Sequence, residues 1–185
     1  FWEPISKYIN HFKIRGSYGL VGSDAFASGA PHFLYQNNIG IGSAHKFWTG
    51  LPTSEISKQG PGFYVLAVQD AGWEHVKKFD IGFDMMLFDQ LNITFDYFHD
   101  KRERILMSRA SWPSMLGYWG SKPWSNIGEV ENQGFELSLN WTKQFGKDLT
   151  LDLRGNFTYN QNEYKYVDEP SYPYVWQTNT GKPLN

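Results

Sequence analysis

Histidines and carboxylates are the residues of this 185-residue chain whose types could support catalysis or metal binding. The five histidines do not fall at the spacing of a metal-binding pair, such as positions i and i+4 of a helix. They are His11, His32, His45, His75 and His99. Cysteine is absent, which excludes disulfides, thiolate metal ligands and cysteine nucleophiles among these residues.

Two pairs of carboxylates could carry acid–base chemistry, namely Asp80 with Asp84 and Asp168 with Glu169. In a strand, Asp80 and Asp84 lie on one side about 13 Å apart, at roughly 3.3 Å per residue. This distance exceeds the separation that a glycosidase pair uses. The residue pattern therefore predicts no catalytic site, no metal site and no cofactor.

The composition indicates a particular kind of membrane protein. Aromatic residues make up 18% of the chain, yet its mean hydropathy is −0.51. No run approaches the 18 or so apolar residues that a transmembrane helix needs, and residues 1–4 show no feature of a signal peptide. Transmembrane β-strands have this composition, because they alternate lipid-facing and water-facing side chains. The net charge of −2 does not favour a nucleic-acid partner.

Hydrophobicity alternates with a period of two in five segments of the chain. In one of them Leu91, Ile93 and Phe95 alternate with polar residues, and the other four behave alike. This pattern predicts strands with one apolar and one polar face. The expected strands lie near residues 11–22, 74–88, 91–100, 133–143 and 148–160.

Two tight turns are predicted, near residues 88–90 and near residues 144–146. Because paired residues share a face of the sheet, each apolar position must lie opposite another apolar position. The expected pairs are Leu87 with Leu91, Phe83 with Phe95, Trp141 with Leu149, and Leu137 with Leu153.

The remaining connections are long and fall at residues 23–72, 101–132 and 161–185. Short turns at one end and long loops at the other are typical of outer-membrane barrels, whose long loops lie outside the cell. We therefore expect an all-β, antiparallel segment of a transmembrane β-barrel. Five strands cannot close such a barrel, so the chain is expected either to be part of a larger protein or to pair with other chains.

Four blocks of sequence resemble strand motifs of the SusC/RagA family of TonB-dependent transporters. These blocks are KIRGSYGLVG at 13–22, WE at 73–74 with KFDIGFD at 78–84, LNITFDYF at 91–98 with KR at 101–102, and NIGEV at 126–130 with NQGFE at 132–136. They occur in the order of the family. Gln133 departs from the pattern, which usually has a basic residue at this position.

The resemblance implies a 22-stranded barrel with an N-terminal plug in the outer membrane of a Gram-negative bacterium. It also implies import of oligosaccharides or peptides that is powered by the TonB complex, and a SusD-like surface lipoprotein that closes over the barrel. The plug and the TonB-contacting segment have no counterpart among these residues, so we expect a middle-to-late part of the barrel. The expected partners are thus the rest of the barrel, the plug, the lipoprotein, the cargo and lipid.

Two groups of side chains are candidates for functional roles in this interpretation. The first is a set of polar residues expected to face the lumen: Lys78, Asp80, Asp84, Asp96, Glu136 and Arg154. The second is a set of loop aromatics expected to contact cargo or a partner protein: Trp48, Trp112, Trp119, Trp124, Tyr172 and Trp176.

Two other functions remain open from the sequence. A soluble β-sandwich also has alternating strands and could bind carbohydrate through loop tryptophans. A structural outer-membrane barrel or adhesin would have the same strands without transport. A requirement for detergent separates the soluble module from both barrels, and a plug in the full-length gene separates the importer from the structural barrel.

Overall fold

The computed structural model describes residues 8–24, 28–50, 56–113, 115 and 122–184. Seven strands run through these residues, and a single 3-10 turn, Val175–Gln177, follows the last of them. The strands are β1 (Ile9–Ser23), β2 (Asn38–Thr49), β3 (Ile56–Val65), β4 (Glu74–Leu87), β5 (Leu91–Ser108), β6 (Trp124–Phe145) and β7 (Leu149–Tyr166). No helix of the described residues has the length and apolar character needed to cross a membrane.

Five strands form one antiparallel sheet in the order β1-β4-β5-β6-β7. These five strands correspond to the five alternating segments of the sequence. Within the described part of the chain, β2 and β3 pair only with each other, and this antiparallel hairpin lies between β1 and β4 in the sequence. The order of the sheet thus follows the order of the chain once this hairpin is set aside.

The strands extend further than the hydrophobic pattern predicts. β5 continues to Ser108 and β6 begins at Trp124, inside the expected loop 101–132. In this part of the sequence charged residues come after the apolar alternation, so the hydrophobic pattern ends early. Backbone pairing between β5 and β6 nevertheless continues, with Met107 opposite Ser125. The hairpin of β2 and β3 lies within the expected loop 23–72, where glycines such as Gly40 and Gly42 conceal any alternation.

The turn between β4 and β5 forms at residues 88–90, as predicted. Leu87 lies opposite Leu91 and Phe83 lies opposite Phe95, so both expected pairs are confirmed. Phe88 and Asp89 have positive φ values of 56° and 53°, which non-glycine residues adopt only at a cost. A hydrogen bond from the backbone N–H of Phe88 to the carbonyl oxygen of Tyr8, at 3.0 Å, helps to hold this turn.

The register predicted between β6 and β7 is wrong. Trp141 lies opposite Leu153 rather than Leu149, and Leu137 lies opposite Phe157 rather than Leu153. The cause is the position of the turn: β6 continues to Phe145, and the chain reverses at residues 146–148. Gly146 supplies the required positive φ of 69°. The shift is an even number of residues, so every side chain keeps its expected face.

Few apolar side chains of the main sheet are buried among the described residues. Among the described residues the buried hydrophobic side chains are Val68, Val76 and Leu106, all near one end of the strands. Side chains on the apolar face are exposed, including Ile14 at 67% and Tyr18 at 73%. The five strands therefore form a single layer whose apolar face has no covering layer within the described residues.

Candidate functional site

The apolar face of the main sheet is rich in aromatic rings that contact one another across strands. The ring centroids of Phe83 and Phe95 lie 5.5 Å apart, those of Phe95 and Phe135 lie 6.0 Å apart, and those of Phe135 and Phe157 lie 5.7 Å apart. The packing continues from β4 to β7, because aromatic rings on neighbouring strands fall within reach directly or diagonally. An exposed apolar patch of this extent is typical of a surface that contacts lipid or another protein.

A band of ion pairs lies on this same face directly beyond the aromatic rows. Lys77 lies opposite Lys101, which lies opposite Glu131 on the next strand. Lys77 Nζ is 2.6 Å from an oxygen of Glu103, and Lys101 Nζ is 2.8 Å from the other. Lys165 Nζ on β7 is 2.9 Å from Glu131. The apolar surface therefore ends abruptly in a row of charged residues at the end of the sheet where the long connections lie.

The opposite face of the sheet is polar, and Arg15 of the edge strand β1 contacts two carboxylates there. Arg15 Nε is 3.0 Å from Asp84 Oδ2, and Arg15 Nη2 is 2.9 Å from Asp96 Oδ1. The hydroxyl of Thr94 donates a further hydrogen bond to Asp84, at 3.2 Å. Arg15 was not among the six residues predicted to face the lumen, although it has the same alternation as its polar neighbours on β1.

The six predicted lumen-facing residues share this polar face, because all of them fall on the polar parity of the paired strands. Two others form ion pairs without Arg15: Lys78 Nζ is 3.4 Å from Asp100, and Arg154 Nη2 is 3.0 Å from Asp152. Glu136 lies opposite Asp96 in the register. The structure brings Asp84 and Asp96 together at Arg15, whereas Arg154 on β7 pairs separately.

Asp168, which the sequence singled out beside Glu169, is a buried structural residue with 5% exposure. The backbone N–H and the hydroxyl of Ser111 donate hydrogen bonds to its carboxylate at 3.0 and 2.8 Å, and Arg109 Nε lies 3.3 Å away. Burial alone would raise the pKa of Asp168, but the hydrogen bonds from Ser111 and the charge of Arg109 outweigh it and hold that pKa below its usual range. Asp168 thus joins the connection after β5 to the segment after β7.

The segment after β7 folds back onto the end of that strand. The carbonyl oxygen of Tyr164 accepts a hydrogen bond from the backbone N–H of Gly181 at 2.8 Å. The backbone N–H of Tyr164 donates to the carbonyl oxygen of Lys182 at 3.0 Å. The N–H of Leu184 donates to the side chain of Asn162 at 2.9 Å. Leu184 and Val76 line one cleft of about 490 Å³ on the polar face. The segment after β7 therefore packs over the polar face at this end of the sheet.

The predicted contact aromatics are distributed over strand ends and connections. Trp48 lies near the end of β2 and is 65% exposed, and Trp124 is the first residue of β6. Trp112 lies in the connection after β5, while Tyr172 and Trp176 lie in the segment after β7. Trp119 lies outside the described residues. The structure brings Trp176 beside Tyr174, with stacked rings whose centroids are 6.1 Å apart.

The described residues offer no group of three or more histidine, aspartate or glutamate side chains that could hold a metal ion. Their carboxylates contact lysines, arginines, hydroxyls and backbone N–H groups, and Glu131 also contacts the imidazole of His99. These ion pairs can therefore organise charge along a wall.

Comparison with known proteins supports the same architecture. The sequence model of the family described as TonB dependent receptor-like, beta-barrel matches residues 5–185. Among curated proteins of Formosa agariphila, TonB-dependent receptor P3 is 39% identical over 92 residues, which is 49% of this chain and 9% of that protein. TonB-dependent receptor P39 is 28% identical over 157 residues, which is 84% of this chain and 14% of that protein. The chain thus spans a small part of the length of these relatives.

Two solved structures share the fold. A structure of the RagAB peptide importer in the open-open state matches with a TM-score of 0.62 at 20% identity, covering 88% of this chain and 16% of that one. A structure of the RagAB peptide transporter matches with a TM-score of 0.64 at 19% identity, covering 98% and 19%. The predicted fold and the resemblance to SusC/RagA transporters are thereby confirmed, and the chain belongs to the family of TonB dependent receptor-like β-barrels.

Proposed function

We propose that this chain forms part of the wall and the outer loops of a TonB-dependent importer in the outer membrane of a Gram-negative bacterium. The observation that carries this proposal is the two-faced sheet, with aromatic residues on one side and paired charges on the other. Short turns at one end and long connections at the other agree with the orientation of such barrels. Because the chain belongs to a family of β-barrels, other strands of the complete protein would close this wall into a barrel.

The apolar face would contact lipid. The outward apolar band of outer-membrane barrels is about 25 Å tall and is flanked by aromatic residues and then by polar groups. On β5 the apolar residues of this face run from Leu91 to Tyr97, and His99 and Lys101 follow on the same face. The longer run on β7, from Leu149 to Tyr159, covers about 33 Å at roughly 3.3 Å per residue, and a strand tilt of about 40° reduces this to about 25 Å, which fits the hydrocarbon layer. The ion pairs of Lys77 and Lys101 would then lie at the level of the lipid headgroups.

The polar face would line the lumen. Charged side chains inside a barrel seek partners, which is the arrangement of Arg15 with Asp84 and Asp96. This role makes or breaks no covalent bond, so the wall acts by shape and charge and is not an enzyme. Energy would reach the cargo through the plug and the TonB complex, which act on other parts of the complete protein.

The outer loops would contact the cargo and a SusD-like surface lipoprotein. Exposed aromatics such as Trp48 and Trp176, at 65% and 71% exposure, suit both roles, because rigid rings bury much area with little loss of conformational freedom. The two RagAB structures are described as a peptide importer and transporter, and the family resemblance includes oligosaccharide importers. We therefore propose an oligosaccharide or a peptide as the cargo.

A soluble β-sandwich would need a second sheet over the apolar face. Within the described part of the chain the hairpin of β2 and β3 is a separate sheet, and Ile14, Tyr18 and Leu153 of the main sheet remain exposed. This arrangement favours a surface that contacts lipid. It does not favour the soluble module.

The test uses the full-length protein in cells that carry or lack its gene. Uptake of fluorescently labelled oligosaccharides and peptides is measured with and without a protonophore that dissipates the energy supply of TonB. We expect uptake of one cargo class that requires both the gene and the proton gradient, and recovery of the protein in the outer-membrane fraction. Uptake that is unchanged by deletion of the gene, or a protein found in the soluble fraction, contradicts the proposal.

A further inference from the structure

A cleft of about 260 Å³ lies at the outer end of the main sheet, away from the ion pairs of Arg15. Trp73 and Glu74 at the start of β4 form one wall, and His32 and Tyr35 of the connection after β1 form another. Asp24, directly after β1, completes the rim. None of these residues is among those proposed above to contact cargo, so the cleft is a separate candidate site.

The cleft has a fixed floor. The side-chain amide of Asn126 donates hydrogen bonds to the carbonyl oxygens of Gly72 and Arg104, both at 2.9 Å. The N–H of Gly72 donates back to Asn126 Oδ1 at 3.3 Å. Leu106, with only 8% exposure, lies beside Asn126 and gives the cleft an apolar base. Leu106 and Asn126 belong to β5 and β6, so strands hold this floor in place, whereas His32, Tyr35 and Trp73 lie in the connections that form the walls.

Glycine allows the aromatic wall to lie close to the sheet. A Cβ built on Gly22 would lie 3.0 Å from Cε3 of Trp73, so the indole packs over the backbone of β1 at this position. Trp73 is nevertheless 66% exposed, and Tyr35 is 68% exposed. Two large ring faces are therefore held at the cleft and remain accessible to a ligand.

The polar groups of the cleft are hydrogen-bond acceptors or neutral groups. No lysine or arginine is found among the described residues that line it. Glu74 has 11% side-chain exposure and lies 3.7 Å from Arg102, so its charge is partly balanced from outside the cleft. Asp24 and His32 lie at the rim. A phosphate, sulfate or carboxylate ligand would meet carboxylates here, and the nearby guanidinium groups of Arg102 and Arg104 already contact Glu74 and Asp70, which disfavours an anionic ligand.

We infer that this cleft binds one uncharged sugar ring of an oligosaccharide, with its apolar face against Trp73 or Tyr35 and its hydroxyls donating to Asp24. The volume is at the lower limit of ligand pockets and suits a single ring better than an extended chain. The inference deepens the proposed import function and rests on it, because it places a neutral oligosaccharide contact at the outer entrance of the barrel.

The test is isothermal titration calorimetry on the full-length protein purified in detergent. The probes are neutral hexasaccharides (malto-, cello-, xylo-, manno- and laminari-), an oligogalacturonate as an acidic sugar, and a tryptic digest of casein. We expect at least one neutral sugar to bind, and Trp73→Ala to weaken it about tenfold, because the variant removes a large exposed ring face. Trp73→Phe should retain part of the affinity, because it keeps an aromatic face.

The matched control is Tyr8→Ala, which removes a ring of 55% exposure at the opposite end of the sheet and should leave sugar affinity unchanged. Failure of every neutral sugar to bind overturns the inference. So does equal sugar affinity of wild type and Trp73→Ala, or a loss of peptide binding alone in that variant.

These results are independent of the uptake experiment. Energy-dependent peptide uptake by cells, combined with no sugar binding, overturns the sugar cleft and leaves the importer intact. Conversely, sugar binding that depends on Trp73 in a protein without any uptake overturns the import proposal alone.

Discussion

Arg15 on β1 contacts Asp96 on β5, although β4 lies between these two strands. Arg15 Nη2 is 2.9 Å from Asp96 Oδ1. The residue of β4 that lies between them in the register is Gly82, which pairs with Arg15 on one side and Asp96 on the other. The absence of a side chain at Gly82 leaves the space in which the guanidinium and the carboxylate meet.

Gly82→Ala should destabilise the barrel. A Cβ on Gly82 would lie 2.5 Å from the carbonyl oxygen of Phe95 and even closer to Asp96 Oδ1, so the carboxylate must move away from Arg15. We expect a loss of about 1–3 kcal/mol in the free energy of unfolding, which is the usual cost of overpacking. The measurement is urea unfolding of the full-length barrel in lipid vesicles.

Gly155→Ala is the matched control for that substitution, because nothing lies within 4 Å of a Cβ built there. It should change the urea midpoint by much less than Gly82→Ala. Equal shifts for the two variants would show that the space at Gly82 is not required.

An arginine introduced at either of two neighbouring positions on β7 should reduce the folded fraction of the barrel to very different extents. Phe157 belongs to the apolar face and contacts Phe135, whereas Thr158 lies opposite Glu136 on the polar face. Arginine on a lipid-facing site near the bilayer midplane costs about 2–4 kcal/mol. We therefore expect Phe157→Arg to reduce the folded fraction in vesicles strongly and Thr158→Arg to reduce it little. The reverse order, measured by the change in gel mobility on heating, would mean that the faces are assigned the wrong way round.

Cysteine pairs can test the register of β6 and β7, since this chain has no native cysteine. Trp141 and Leu153 are direct partners, and paired Cα atoms in antiparallel sheets are about 4.5–5.5 Å apart, within disulfide range. Trp141→Cys with Leu153→Cys should therefore cross-link under copper phenanthroline. Trp141→Cys with Leu149→Cys should not, because four residues along a strand span roughly 13 Å. Mass spectrometry of proteolytic fragments measures both yields, and preferential cross-linking of the second pair would contradict this register.

The contact of Asp168 with Ser111 should open only in acid. The pKa of Asp168 is lowered in the folded state, so its stabilising contribution is fully present above the unfolded pKa of about 3.9 and is lost as pH falls through the lower, folded value. We expect amide exchange of residues 167–184 to stay slow from pH 8 to about pH 5 after correction for intrinsic rates, and to rise at about pH 4 and below.

Asp168→Asn should show faster corrected exchange in that segment at every pH, because it removes the charged acceptor of Ser111. Asp148→Asn, in the turn at the opposite end of the sheet, is the control and should match the wild type. Opening of the wild-type segment between pH 6 and 8 would be inconsistent with the lowered pKa.

Several features of this fold could be predicted from the sequence because they depend on local pattern. The alternation along Phe79, Ile81 and Phe83 assigns faces to β4, and the short turn at residues 88–90 then determines the pairing of Leu87 with Leu91. The turn after β6 was less determined, because Gln144, Phe145 and Gly146 allow more than one position of the same parity. The hairpin of β2 and β3 had too many glycines for its alternation to be recognised.

The sequence by itself determined the two faces of each main strand, the antiparallel class and the family, because side-chain alternation and strand motifs are properties of neighbouring residues. Only the tertiary structure decided the contact of Arg15 with Asp96, the burial of Asp168 by Ser111, and the cleft at Trp73. These contacts join residues that are distant in sequence, separated by 81 positions in the first case and 57 in the second. Their formation depends on strand order, on the exact register and on space left by single glycines, which no local pattern specifies.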